Sequence, residues 1–336
     1  MPLNTNERLQ ETLSLALEQR SPGYQDLISN NHVVLMTMKK NGQWKEFSGP
    51  KIRETLQYAQ SETYTRYQHL QYLNPVRREL FNDAEFDPKL AAVSVVLSGQ
   101  DILLNSGSNQ ILDVMEEKIN AGETELIDRF VEDVHSDGTQ SNQIGGFQSM
   151  LPTDPTSGTY GGISRATNAI WQPFSYDADS DFTGIGTQVS STTIQPMYRT
   201  IMIANQRGSK APNIILASAE HFGAYAAAVE AIQRIQDENE MGKLGFANLK
   251  FYGAGKSVPI VLEGGIGSAM PANTSYFNET SSLKFRYHPD RNFEKFGGKL
   301  IPFNQDAVGQ HIGFMGNLTM CNPLFNGKLY DSDTGS

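Results

Sequence analysis

Apolar residues recur at helical spacing between positions 108 and 134, where Ile111, Met115, Ile119, Leu126, Phe130 and Val134 share one face. The pattern predicts one long helix, opened by Ser106-Gly107-Ser108 and kinked at Gly122, its single interruption. Leu9, Leu13, Leu15 and Leu17 among charged neighbours predict a shorter amphipathic helix over residues 4–20, stopped by Ser21-Pro22-Gly23. The periodicity then changes to two. Val34, Met36 and Met38 alternate with Leu35, Thr37 and Lys39, and Asn41-Gly42 supplies the positive-φ residues of a tight turn. A hairpin is therefore predicted, with Trp44 and Phe47 on its return strand.

Further along, "LAAVSVVLSG" reads as a buried strand and "TIQPMYRTIMIANQRG" as a helix with Pro196 in its first turn. "PNIILAS" reads as an apolar strand, and Ser218 caps the next helix, whose buried stripe is Phe222, Tyr225, Val229 and Ile232. Residues 136–190, rich in Gly, Ser, Thr, Asp and Pro, read as loops with short strands. Three later stretches, starting at Leu249, Thr274 and Gln310, are β-rich. The fold class is α+β, with a long helix, a separate mixed sheet and one projecting arm.

Charge sharpens this picture. The net charge is −10, and residues 101–186 alone hold 14 acidic and 3 basic side chains. Lys39, Lys40, Lys45, Lys51 and Arg53 against Glu46 make the predicted hairpin net +4. Residues 113–137 carry nine acids against Lys118 and Arg129, or −7. No basic patch with interleaved aromatics appears, which argues against sequence-specific nucleic-acid recognition. No apolar run approaches the roughly 20 residues that span a bilayer. The N-terminal stretch lacks the layout of a signal peptide, and the single Cys321 leaves no intrachain disulfide, so a soluble protein made in a reducing compartment is expected.

The candidate chemistry is thin. Ser164 sits in Gly162-Ile163-Ser164-Arg165-Ala166, near a nucleophile elbow, but turn formers precede it where a core strand is required. Gly253-Ala254-Gly255-Lys256-Ser257 resembles the end of a phosphate loop, but an apolar strand follows where a helix is required. The six histidines are isolated, and Asp177, Asp179 and Asp181 lack the glycine and terminal glutamate offsets of a calcium loop. No catalytic residue, cofactor or metal is expected.

The stretch "QIGGFQSMLPTDPTSGTYGGISRATNAIWQP" resembles one found in tailed-bacteriophage major capsid proteins. So do "KLAAVSVVLSGQDILLNSG", "VHSDG", "NTSYFNETSSLKFRYHPDRNF" and "GNLTMCNPLFNGKL", all five in the same order. The resemblance implies the Hong Kong 97 phage-type capsid fold. Its parts would be an N-terminal arm (1–31), an extended loop (32–97) and a peripheral domain with the spine helix (98–138). An axial domain (139–245), peripheral return strands (246–300) and C-terminal strands packed on the axial domain (301–336) would follow.

It also implies a non-enzymatic role. The subunit would form hexamers and pentamers of an icosahedral virion shell around double-stranded DNA, assembled in the host bacterial cytoplasm with no membrane. Scaffolding, portal and cement or decoration proteins would be separate partners. An acidic wall suits a container that does not grip the packaged DNA. The rival readings are an encapsulin-type nanocompartment shell in the same fold, and a soluble enzyme using Ser164 or Lys256.

Residues 158–173 would then be a structural passage into the axial domain, with Arg165 and Trp171 as packing or pairing residues. Charge adds an expectation of its own, in which the basic segment with Lys39, Lys40, Trp44 and Lys45 meets Asp113, Glu116, Glu117 and Glu123 of a neighbour's spine helix.

Overall fold

A computed structural model describes residues 33–57, 64–69, 81–100, 108–208, 210–230, 248–253, 255–263, 270–300 and 307–332. The predicted helix over 4–20 lies outside them. The first described element corrects the predicted hairpin. Val33–Lys40 is helix α1, with Val33, Val34, Leu35 and Met38 fully buried. Its end is a Schellman cap. Gln43 N donates to Met38 O at 2.8 Å and Gly42 N to Lys39 O at 3.0 Å, with Gly42 at φ +67°. Asn-Gly thus ends a helix here and turns no hairpin.

After the cap, Trp44–Glu46 (β1) runs parallel to a distant strand, and Ile52–Gln57 (β2) pairs antiparallel with Phe81–Phe86 (β3). Lys89–Ser98 (β4) follows. This strand was expected to be buried, but it is an edge strand with alternate residues exposed. Ser108–Val134 (α2) is the predicted long helix, unbroken over 27 residues. Gly122 does not interrupt it. A Cβ there would sit 3.1 Å from Val95 Cγ2 and 3.6 Å from Val93 Cγ1, so the glycine lets the helix lie close on β4.

The loop region contributes the short helix Phe147–Met150 (α3), the hairpin Thr159–Tyr160 (β5) and Ile163–Ser164 (β6), and strand Phe174–Asp177 (β7). It continues with Ala178–Asp181 (α4) and Ile194–Ala204 (α5), which holds Pro196 in its first turn as predicted. Ile214–Ala217 (β8) then leads to Ala219–Glu230 (α6), where His221 N donates to the capping Ser218 Oγ. The remaining strands are Asn248–Gly253 (β9), Lys256–Leu262 (β10), Thr274–Asn278 (β11), Leu283–Leu300 (β12), Ala307–Met320 (β13) and Gly327–Tyr330 (β14).

These strands form two main sheets. One has the order β1-β12-β13-β4 and the other β7-β14-β11-β8-β10-β9. The first packs on α2, with Phe130 making edge-on contacts to Phe285, Phe293 and Phe314 at 5.4–5.7 Å. Phe293 reaches this cluster through a bulge, at φ +59°, where the β12–β13 register shifts. In the second sheet, Ile215 and Ala217 face α5 and α6, while Ile214 and Leu216 join the first core. The period of two along β8 thus gives one buried strand to both cores.

Strands β9, β10 and β11 belong to the six-stranded sheet, and the C-terminal β13 belongs to the four-stranded one. Long-range pairing decides this, because β13 runs antiparallel to both β12 and β4 and completes the sheet beneath α2.

Candidate assembly site at the root of the arm

Strands β2 and β3 form a two-stranded ladder that enters the body at its open ends. Such a ladder is marginal alone and needs a hydrophobic support. Its inner face supplies Ile52, Leu56, Ala84 and Phe86, all buried. On that same face lies Glu54, 1% exposed. Its carboxylate accepts hydrogen bonds from Lys284 Nζ at 2.5 Å and Arg286 Nε at 2.6 Å. Thr319 Oγ1 and Cys321 Sγ approach at 3.4 Å.

Strand alternation produces this arrangement. On β12, Leu283 and Phe285 point into the core, so Lys284 and Arg286 point to the arm. Burial disfavours the Glu54 anion, but the hydrogen bonds from Arg286 and Lys284 outweigh it and hold the carboxyl below its ordinary range. Burial likewise works against the Lys284 cation, and Glu54 with Cys321 reverses the balance and raises it. The Cys321 thiol, pushed up to about 11 by burial and then by Glu54, stays protonated and unreactive. On the outer face Glu85 takes Lys51 at 2.9 Å and Arg53 at 3.2 Å, exposed pairs of small energetic weight.

The hairpin β5–β6 supports the root from below. Gly161 and Gly162 take φ of +57° and +75°, the two positive values of a tight hairpin turn. Glu85 N donates to Gly161 O at 3.0 Å, and Phe86 meets Tyr160 edge-on at 5.0 Å. Trp171 Nε1 donates to Tyr160 O at 2.8 Å, and the Arg165 guanidinium lies 5.2 Å from the Tyr160 ring. Arg165 Nη2 also donates to the carbonyls of Ser149 and Met150 at the end of α3. Within residues 158–173, Tyr160, Arg165 and Trp171 are buried.

Ser164 pairs with Thr159 on β6, and no histidine or carboxylate hydrogen-bonds its hydroxyl among the described residues. Lys256 opens strand β10, antiparallel to β9, with Gly255 at φ +77° making the bend. Asp177 caps the short α4 through Asp179 N, and Asp181 accepts from Asp177 N. No group of residues suited to a metal occurs among the described residues.

Of the charge-based contact residues, Trp44 is packed inside its own chain. Its ring lies 4.4 Å from that of Phe285, and its Nε1 donates to Leu35 O at 3.2 Å. Lys39 lies 5.6 Å from the Trp44 ring, while Lys40 and Lys45 are exposed. On the helix, Glu117 is exposed and Glu123 half-buried, and the side chains of Asp113 and Glu116 lie outside the described residues. Sequence reasoning missed Glu54 altogether, since an acid alternating with Ile52 and Leu56 was its only local trace.

No family profile matches the chain, and no curated protein matches it by sequence. Solved structures do match by shape. The capsid protein in the asymmetric unit of cyanophage A-1(L) aligns with a TM-score of 0.62 at 14% identity, covering 88% of this chain and 92% of its own. The capsid of a native GTA particle aligns with a TM-score of 0.55 at 10% identity, covering 88% and 90%. The rooted two-stranded arm, the long helix on a four-stranded sheet and the second sheet are therefore the parts of a Hong Kong 97-type capsid fold, and that is the fold of this chain.

Proposed function

We propose that the protein is the major capsid protein of a tailed phage, building hexamers and pentamers of an icosahedral shell around double-stranded DNA. The capsid fold, matched over 88% of the chain, carries this reading. The arm root supports it. A ladder fixed at its base by buried hydrogen bonds, with Tyr64 and Tyr67 in the connecting segment 83% and 66% exposed, is suited to reach a neighbouring subunit. The role is structural, with many weak equivalent interfaces summed by symmetry and no bond made or broken. Scaffolding, portal and decoration proteins would be separate partners, and packaged DNA would be enclosed without sequence reading.

Negative-stain electron microscopy of the purified protein, across protein concentration and salt, tests the reading. Shells, tubes or six-membered rings are expected. A 37.2 kDa monomer under every condition, alone and with a cognate scaffold, would overturn it. Nuclease-protected DNA in native particles separates a phage head from a nanocompartment, which would hold protein cargo.

A further inference from the structure

A cleft of about 710 Å³ opens beside the arm root, between the ladder and the 163–171 segment. This volume is in the range, roughly 300–1,000 Å³, of small-ligand sites. Among the described residues no charged side chain lines it. Its polar groups are instead uncharged, chiefly the side-chain amides of Asn82, Asn168 and Asn322, and Trp171 supplies an aromatic ring. Each amide keeps an unused group. Asn82 Oδ1 accepts from Asp83 N at 2.9 Å, which leaves its Nδ2 to donate. Asn168 is the converse, because its Nδ2 donates to Ser164 O and Thr167 Oγ1, both at 3.0 Å, and leaves its Oδ1 to accept. The Asn322 Oδ1 is buried and has no hydrogen-bond partner among the described residues, a cost that a donor entering the cleft would relieve.

The chemistry of this lining selects its ligand. A hydroxyl both donates and accepts, so it can meet either side of an amide without carrying charge. The face of an aromatic ring is its negative side and suits the C–H groups of a saturated ring. A sugar ring presents both. A phosphorylated or carboxylated ligand would bring a charge with no cation in the cleft to meet it. A wholly apolar ligand would leave Asn322 Oδ1 unmet. The groups are also held in advance, Asn168 by its two hydrogen bonds and Trp171 by the bond from its Nε1 to Tyr160 O, which spares a ligand the cost of ordering them.

We propose that the cleft is a binding site for a neutral saccharide, with Asn82 donating to its hydroxyls, Asn168 and Asn322 accepting from them, and the sugar ring against Trp171. The site belongs to a single chain and goes beyond the shell-forming role. It also adjoins the base of the arm. Cys321 lines the cleft, and its Sγ lies 3.4 Å from the Glu54 carboxylate.

Cys321 is the only cysteine of the chain, so its alkylation by iodoacetamide reports on the cleft. The full-length, unassembled protein is alkylated in the presence of glucose, N-acetylglucosamine or maltotriose, with glucuronate and hexan-1-ol as comparisons. A neutral saccharide at ten times its dissociation constant should slow the reaction about tenfold. Glucuronate and hexan-1-ol should leave the rate unchanged. Asn322→Leu should abolish the protection, and so should Asn168→Ala, an exposed position whose change is compatible with folding and is checked by an unchanged melting temperature. Absence of protection by all three neutral saccharides at up to about 100 mM would overturn the proposal. Equal protection by hexan-1-ol or glucuronate, or protection that persists in a folded Asn168→Ala variant, would overturn it as well. None of these readouts depends on shell assembly.

Discussion

The Glu54 carboxylate of the arm and the Arg286 Nε of the body sheet lie 2.6 Å apart, although 232 positions separate them in the chain. Together with Lys284 they place a buried acid against two bases on one strand. Removing one partner leaves buried charge uncompensated, at a cost of about 3–5 kcal/mol. Glu54→Ala should therefore lower the urea midpoint more than Glu85→Ala, whose surface pairs contribute roughly 0–1 kcal/mol. A double-mutant cycle with Arg286→Met measures the coupling directly, and a coupling near zero would refute the clamp.

Acid should act in two stages. Burial, with Glu220 opposing, depresses the His221 imidazole to about 4. Its Nδ1 lies 2.8 Å from Ser275 Oγ in the second core. Between about 6.5 and 4 the unfolded chain binds the extra proton, so stability is complete above that window and falls through it, by on the order of 3 kcal/mol. Glu54, also depressed, contributes stability present above about 4.3 and lost as pH falls through its lower folded value. His221→Asn should flatten the upper stage of a urea-midpoint profile against pH. Glu54→Gln should leave that stage and remove the lower one. A single stage unchanged by His221→Asn would refute the assignment.

These sites differ in how far they could be read beforehand. The spine helix was legible because 27 residues of apolar periodicity outweigh one glycine, and that glycine turned out to face Val93 and Val95. Helix α1 was not. Val34 and Met38 satisfy both a period of two and an i, i+4 spacing, and Asn-Gly serves a hairpin and a Schellman cap alike, since both need positive φ. Arg165 and Trp171 enter as packing or pairing residues only through the resemblance of the stretch that holds them. Glu54 could not be paired from sequence, because alternation places it on the inner face without naming the strand it will meet.

Adjacent glycines offer a controlled comparison. Both Gly161 and Gly162 have left-handed φ, so alanine at either costs about 1 kcal/mol in backbone strain. At Gly162 nothing lies within 4 Å of the added Cβ. At Gly161 it would meet Phe86 Cζ at 2.7 Å, beneath the arm root. Overpacking there adds roughly 1–3 kcal/mol. Gly161→Ala should thus melt well below Gly162→Ala, and equal melting temperatures would show that Phe86 yields freely.

Surface charge on the α1–β1 segment makes the last prediction. Lys40 and Lys45 are exposed, whereas Trp44 between them is held by Leu35 and Phe285 of the same chain. Reversing Lys45 to Glu should leave the monomer's stability within about 0.5 kcal/mol, as for ordinary surface substitutions. If this segment is steered to the acidic spine helix of a neighbour, the reversal should slow assembly at low salt. The deficit should shrink as the Debye length falls from about 10 Å at 0.1 M salt to about 3 Å at 1 M. Time-resolved light scattering across that range checks it. Normal rates at low salt would refute steering by this segment, and a deficit independent of salt would point to lost packing around α1.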